Sequence, residues 1–304
     1  MINTKKDRVI LISLLKLNRL IKAQYLRPIV AKILRNRAKT MEGYEWVCNL
    51  LVDKKMAKNV YPYALTSNWW HSKPIVNVRR LGLNLTLDLR DNLQRCVYFT
   101  GKYEPETFEL IKNELKKGDT FIDIGAHIGL YSLFAANRLR KIGGGQSLAF
   151  EPTPDSAKII DKNAKLNNLN VELFQTALGK SNMDQKPMYC DLDWGIHDAG
   201  IRSLYSEGHI VCYVDIVKFD NWIKQNPLKQ IDIIKMDTEG AEFDIIEGMK
   251  DSLLRYKPRC IIMELKDSEL IPAGKTRNDI LTKMKSIGYK PEGDPLEYNQ
   301  VFRL

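Results

Sequence analysis

The plainest periodicity in the chain has a period of two. Leu83, Leu85, Leu87 and Leu89 alternate with Asn84, Thr86 and Asp88, as in a strand with one buried face. Ile75, Val76 and Val78 precede a turn at Arg80–Gly82, so 74–89 is predicted to be a β-hairpin. Upstream, residues 1–70 have a helical pattern, with Leu11, Leu14, Leu15, Leu17, Ile21 and Tyr25 near helical spacing. Downstream, Pro105 opens a helix that runs to Lys116, and Gly118 ends it. Short apolar runs then alternate with helical stretches. Strands are predicted at Thr120–Ile124, Ser147–Phe150, Val171–Phe174, Val211–Ile216, Ile231–Met236 and Arg259–Leu265. Helices are predicted at Ile128–Leu139, Pro154–Leu166 with Thr153 as N-cap, Phe219–Lys224, Glu242–Lys250 and Asn278–Ile287. Gln300–Leu304 is expected to close the sheet as an edge strand, and 180–210 to form an irregular loop over a site. Regular βαβ alternation implies an α/β fold, a mainly parallel sheet with helices on both faces. The expected division is a basic helical N-terminal segment, 1–72, followed by a domain over 73–304.

Charge changes that picture at one end only. The formal net charge is +10. Residues 1–40 hold eleven Lys and Arg against one acid, Asp7, and the rest of the chain holds 36 of each sign. The body is therefore neutral, which argues against a nucleic-acid-binding molecule. Val9–Leu15 has the length of a signal-peptide core, but Lys16, Arg19 and Lys22 follow it and no small-residue cleavage site does. The arm reads either as a helix packed on the body with a solvated basic face, which is favoured, or as an amphipathic helix on an anionic membrane surface. Five cysteines without a C-x-x-C pair disfavour a disulfide framework or a structural zinc site. The expected setting is cytoplasmic, with peripheral contact at the inner membrane face as the second reading of the arm.

In an open α/β sheet, ligands bind beyond the carboxyl ends of the strands. The first strand ends in Asp123-Ile124-Gly125-Ala126-His127-Ile128-Gly129. The spacing is D-x-G-x-x-x-G, not the G-x-G-x-x-G of dinucleotide sites. An acid there repels phosphate but suits a ligand carrying ammonium or sulfonium charge; an ordinary glycine turn is the alternative. Glu151 ends the next strand, near the spacing at which an acid accepts hydrogen bonds from a ribose diol. Asp237, Glu239 and Glu242 follow a later strand. Acids complementing a helix dipole explain Glu239 and Glu242 well, and Asp237 at the strand tip less well. Asp237 with Glu239 offers only weak spacing for a divalent cation, and no metal is expected.

The segments FIDIGAHIGLYS (121–132), AFEPTP (149–154), the Asn163/Asn167 helix, ALG (177–179), KMDTEGAE (235–242) and IIMELK (261–266) together resemble the FkbM-type methyltransferase family over about 90–266. Tyr103-Glu104-Pro105 resembles that family's entry region. The resemblance implies a Rossmann-like class I methyltransferase fold, S-adenosylmethionine as cofactor, and O-methylation of a hydroxyl on a sugar, glycolipid or secondary metabolite. It suggests cofactor roles for Asp123, Gly125, Ala126, Gly129 and Glu151, and beyond these for Glu104, Ala177 and Asp237. A base should help a poorly nucleophilic hydroxyl, and Asp237, His127 and Glu264 are the candidates. His127 departs from the pattern, where Asn is expected. The implied partner is a small-molecule or glycan acceptor. A tRNA or RNA methyltransferase using the basic arm is disfavoured by the neutral body and by the lack of an N/D-P-P-Y/F motif after KMDTEGAE. The intact loop and Glu151 argue against a non-catalytic membrane-associated scaffold. Residues 1–70 lie outside the resemblance.

Overall fold

The computed structural model describes residues 74–190, 202–293 and 299–304. The expected basic helical arm lies outside these residues, as does the loop core around Trp194 and His197. The described residues fall into two units that meet between Tyr103 and Glu104. The hairpin therefore belongs to the first unit, although the sequence pattern divided the chain at 72/73. Among the described residues no helix is long and apolar enough to cross a membrane.

In the first unit, β1 (Ile75–Arg80) and β2 (Leu83–Asp88) pair antiparallel, with Arg80 opposite Leu83. Leu81 and Gly82 both have positive φ, 54° and 74°, the geometry of a two-residue turn matched to strand twist. Leu83, Leu85 and Leu87 are buried, as their alternation requires. A helix that the hydrophobic pattern did not announce follows, α1 (Asn92–Thr100). Its signals are at its ends: Asp91 accepts from the Gln94 N–H, and Gly101 closes it in the left-handed conformation.

The second unit is a layered α/β domain. Its elements are α2 (Pro105–Glu114), β3 (Thr120–Ile124), α3 (Leu130–Ile142), β4 (Gln146–Phe150), α4 (Pro154–Leu166), β5 (Glu172–Phe174), β6 (Ala177–Leu178), β7 (Met183–Cys190), β8 (His209–Val217), α5 (Phe219–Gln225), β9 (Ile233–Met236), α6 (Glu242–Gly248), α7 (Lys250–Tyr256), β10 (Cys260–Glu264), α8 (Asp267–Leu270), α9 (Arg277–Ser286), β11 (Lys290–Glu292) and β12 (Asn299–Arg303). The main sheet has the order β5-β4-β3-β9-β10-β12-β11. Strands β5, β4, β3, β9 and β10 run parallel, and β12 is antiparallel to both of its neighbours. Every residue of β3, β9 and β10 is buried, as in a sheet covered on both faces. Ile122, Ile124, Leu148, Phe150, Ile234 and Met236 join the larger core with Phe219, Ile245 and Met284 of α5, α6 and α9. Ala149 packs with Ile160 of α4 in a separate cluster.

Four expectations are corrected. The last strand is not an edge: β12 is slotted between β10 and β11, with Gln300 and Phe302 buried. The true edge, β11, reads Lys-Pro-Glu and is exposed throughout, so no apolar run marked it. The strand near Val211–Ile216 leaves the main sheet. As β8 it lies between β6 and β7 in a three-stranded sheet, with Val214 and Ile216 buried and Tyr213 and Asp215 exposed. That one-sided burial is what separates it from the central strands. Residues 183–190, expected as loop, form β7; its polar residues, Pro187 and two register shifts hid it. The helix predicted at Glu242–Lys250 also breaks at Met249, next to Gly248, where an added Cβ would lie 1.9 Å from the Gly179 carbonyl oxygen.

Candidate active site

The loop after β3 is built by inward hydrogen bonding. Gly125 has φ 78°, and the Gly125 and Ala126 N–H groups both donate to the Phe150 carbonyl, at 3.0 and 3.1 Å. The His127 N–H donates to Glu151 Oε2 at 2.8 Å, and the Gly129 N–H to the Ala126 carbonyl at 2.7 Å. These donors are spent on the protein itself, so the loop is no nest for a pyrophosphate. Asp123, fully buried, accepts from both the Ser132 N–H and hydroxyl on Oδ2, at 2.9 and 2.5 Å. Burial raises its carboxyl to about 6, against the pull of Ser132 and Lys235. Its visible task is to brace the loop against the first turn of α3.

Glu151 pins the loop from the end of β4. Oε2 takes the His127 N–H, and Oε1 takes the Thr153 N–H and hydroxyl, at 2.9 and 2.6 Å. Thr153 is the N-cap residue of α4, but its hydroxyl serves Glu151 rather than the helix end. Burial raises the Glu151 carboxyl, partly offset by Thr153 and His127. Oε1 is filled by its two bonds from Thr153, and Oε2 keeps one acceptor site beyond the His127 N–H, the one that could take a ribose hydroxyl. Ala177 starts β6, three residues beyond Phe174, whose carbonyl accepts the Glu151 N–H.

A second group gathers at the ends of β9 and β10. One carboxylate oxygen each from Glu104, Asp237 and Glu264 lie within 4.8 Å of one another, and the same holds for Glu239, Glu264 and Glu269. Glu104 comes from the residue before α2, where its Oε2 accepts the Tyr131 hydroxyl at 2.5 Å and Asn299 Nδ2 at 2.9 Å. Lys266 binds Glu264 and Glu269, each at 2.8 Å. Lys235 lies 3.4 Å from Asp237. These two ammonium groups bring the counter-charge that an acidic cluster otherwise needs. Burial pushes Glu264 up to about 9, with Asp237 next to it adding to the rise. Burial also works against Asp237, but Lys235 and its contact with Glu264 outweigh it and hold Asp237 below its ordinary value. The two neighbouring carboxyls are thus pushed in opposite directions, Asp237 down and Glu264 up.

The structure brings Asp237 and Glu264 together and adds Glu104. His127 stands with the other group, beside Glu151. Lys235 and Lys266 were missed as site residues. The signal for Lys235 was a lysine inside the apolar run of a strand that must be buried on both faces. Three non-glycine residues of the site, Glu104, His127 and Glu239, have left-handed backbone, with φ of 36°, 52° and 52°. Such strain gathers where surrounding structure imposes it at functional sites. Asn adopts that region more readily than His. His127→Asn is therefore expected to keep or raise the melting temperature and to retain methyl transfer, measured with labelled cofactor. Loss of transfer in a stable variant would return His127 to the role of base.

Glu242, expected as a helix N-terminal acid, is buried and satisfies the Thr238 N–H and hydroxyl at 2.9 and 2.7 Å. Burial raises it to about 7. A carboxyl raised in the folded state binds a proton that the unfolded chain has lost. Its stabilisation is full below the ordinary carboxyl range and fades as pH rises through 7. Glu242→Gln keeps the acceptor without the charge. From pH 5 to pH 8 the native protein should lose roughly 2–3 kcal/mol relative to this variant, read from melting curves at both pH values. A pH-independent difference would refute the shift.

A mainly parallel sheet with one antiparallel strand before its last edge, a glycine turn after the first parallel strand and an acid after the second define a class I methyltransferase domain. The chain belongs to the FkbM family of S-adenosylmethionine-dependent methyltransferases: residues 123–291 match the family described as Methyltransferase FkbM domain. It is similar to Methyltransferase 1 of Beauveria bassiana, 30% identical over 152 residues, covering 44% of this chain and 59% of that protein. It is similar to 2-O-methyltransferase NoeI of Sinorhizobium fredii, 31% identical over 170 residues, covering 51% and 67%. Hexuronic acid methyltransferase AglP of Haloferax volcanii is 21% identical over 208 residues, covering 67% and 80%. The chain thus spans 59% of the length of the first of these.

Proposed function

We propose that this protein methylates a hydroxyl group of a sugar or a similar small polyhydroxylated acceptor. The observation that supports this reading best is the meeting of the Asp237, Glu264 and Glu104 carboxylates within 4.8 Å of one another, at adjacent strand ends on the rim where ligands of open α/β sheets bind, with Asp237 held low and Glu264 raised. The names of two similar proteins, a 2-O-methyltransferase and a hexuronic acid methyltransferase, point to sugar-like acceptors. A rim with more carboxyl groups than the two lysines paired to it suits a cofactor that carries ammonium and sulfonium charge. Bound there, S-adenosylmethionine supplies an electrophilic methyl group, which an acceptor oxygen takes as the carbon–sulfur bond breaks. Glu151 would receive a ribose hydroxyl, and the braced Asp123–Gly129 loop would hold the cofactor beside the rim. Asp237 takes the hydroxyl proton as the new carbon–oxygen bond forms. Glu264 keeps its own proton and orients Asp237. Calorimetry with S-adenosylmethionine, followed by labelled-methyl transfer into an extract of the host, tests this reading. Heat of binding and an alkali-stable labelled product are expected, since methyl ethers resist base and methyl esters do not. A folded protein that gives no heat would sink the proposal, and alkali-labile label would move it to a carboxyl acceptor.

A further inference from the structure

Lys235 is left without a task in that reaction. It lies on β9, 0% exposed, in register with Asp123 of β3. Its ammonium is 3.4 Å from Asp237 Oδ2 and 3.5 Å from the Met236 carbonyl. The Tyr131 ring of α3 covers it, with the ring centre 5.5 Å away. Glu104 at the start of α2, Asp123 on β3 and Glu264 on β10 are the further acids that act on it, and Lys266 lies beyond Glu264.

These contacts are long. Lys266, which is only partly buried, lies 2.8 Å from a carboxyl oxygen of both Glu264 and Glu269, whereas Lys235 has no carboxyl oxygen so close. Burying an ammonium costs several kcal/mol unless close partners offset it, so a lysine kept for stability alone would pair tightly. Lys235 instead sits as a common positive centre among carboxylates from several elements. Asp237, its nearest acid, retains 22% side-chain exposure, so it faces both the lysine and the open rim.

We propose that Lys235 is a positioning residue for methyl transfer: from beneath the site, its ammonium keeps Asp237 ionised and in place without touching substrate. The inference rests on the function proposed above. Asp237 stays below its ordinary value despite burial, and Lys235 is the largest favourable influence on it.

The test uses the full chain and Lys235→Met, of similar length but uncharged. Aspartate carboxyls labelled with carbon-13 are titrated by NMR without cofactor, and the Asp237 signal is identified by its loss in Asp237→Asn. In Lys235→Met the Asp237 titration should move up by about 1–3 pH units. The acid limb of the transfer rate should move with it, activity should recover at higher pH, and Lys235→Arg should restore both. If Lys235→Met does not fold, Lys235→Gln, a hydrogen-bond donor without charge, carries the same titration. An unmoved Asp237 titration in a folded variant overturns the proposal, as does a lowered rate with an unchanged pH profile. The titration needs neither cofactor nor acceptor. Failure of the unsubstituted chain to bind S-adenosylmethionine would thus sink the enzymatic reading separately from the charge relation.

Discussion

Asp237→Asn should lower methyl transfer by about a hundredfold to ten-thousandfold, the usual worth of a positioned general base. The substitution keeps the shape of the side chain and its place at the tip of β9, where the Asp237 N–H donates to the Ile124 carbonyl at 3.0 Å. It removes an acid that is both held low and partly open to the rim. Glu264 does not substitute for it, because burial keeps its proton on up to about 9. Without the charge of Asp237 beside it, Glu264 should itself titrate lower. A weak residual activity rising with pH is therefore expected. S-adenosylmethionine affinity, measured by calorimetry, separates the two roles open to Asp237. A base alone predicts a fall in turnover with affinity little changed, whereas a ligand for the cofactor ammonium predicts loss of affinity. Full activity in a folded Asp237→Asn protein would remove Asp237 from the chemistry.

What the sequence made legible follows from the physics of each element. The central strands are buried on both faces, so unbroken apolar runs marked β3, β9 and β10 to within two residues at either end. The glycine loop, Glu151 and Asp237 could be named because they stand directly after such strands. The edges were not legible. β11 carries no apolar residue except Pro291, and β7 has Asp-Gln-Lys-Pro at its centre with its buried residues, Met188 and Cys190, confined to its end, so neither shows a run or a long alternation. The helix α1 was missed because its information lies in Asp91 and Gly101 rather than in a long period. Within the site, residue types were readable and partnerships were not. Glu104 lies 195 positions from Asn299, which donates to it, and no spacing rule spans that distance. Thr153 stands at the N-cap of α4 as expected, but its hydroxyl donates to Glu151 and makes no side-chain cap bond, a partnership that no local pattern announces.

Gly125→Ala should cripple the domain more than any other single methyl group added to the loop. A Cβ at Gly125 would lie 1.8 Å from the Asp237 carbonyl oxygen and 2.8 Å from its carbon. That obstacle is backbone at the tip of a central strand, not the end of a flexible side chain, so it cannot swing aside. The left-handed φ of 78° adds strain that only glycine escapes. Strain and overpacking together should cost roughly 2–6 kcal/mol, a large share of a stability that is usually about 5–15 kcal/mol. The melting temperature should fall by about 5–20 °C. Gly129→Ala is the informative comparison. It has nearly the same φ, 75°, but its added carbon would meet only the Ile160 side chain, at 3.0 Å, which can shift. Both substitutions pay for backbone strain, and only the first forces β3 and β9 apart. If contact between those strand ends sets the distance from the cofactor loop to Asp237, Gly125→Ala should lose methyl transfer even at temperatures where it remains folded, and Gly129→Ala should not. Equal losses of stability and activity in the two variants would show that the left-handed turn alone matters. The close approach of Gly125 to Asp237 would then be a by-product of packing rather than the feature that joins cofactor site to base.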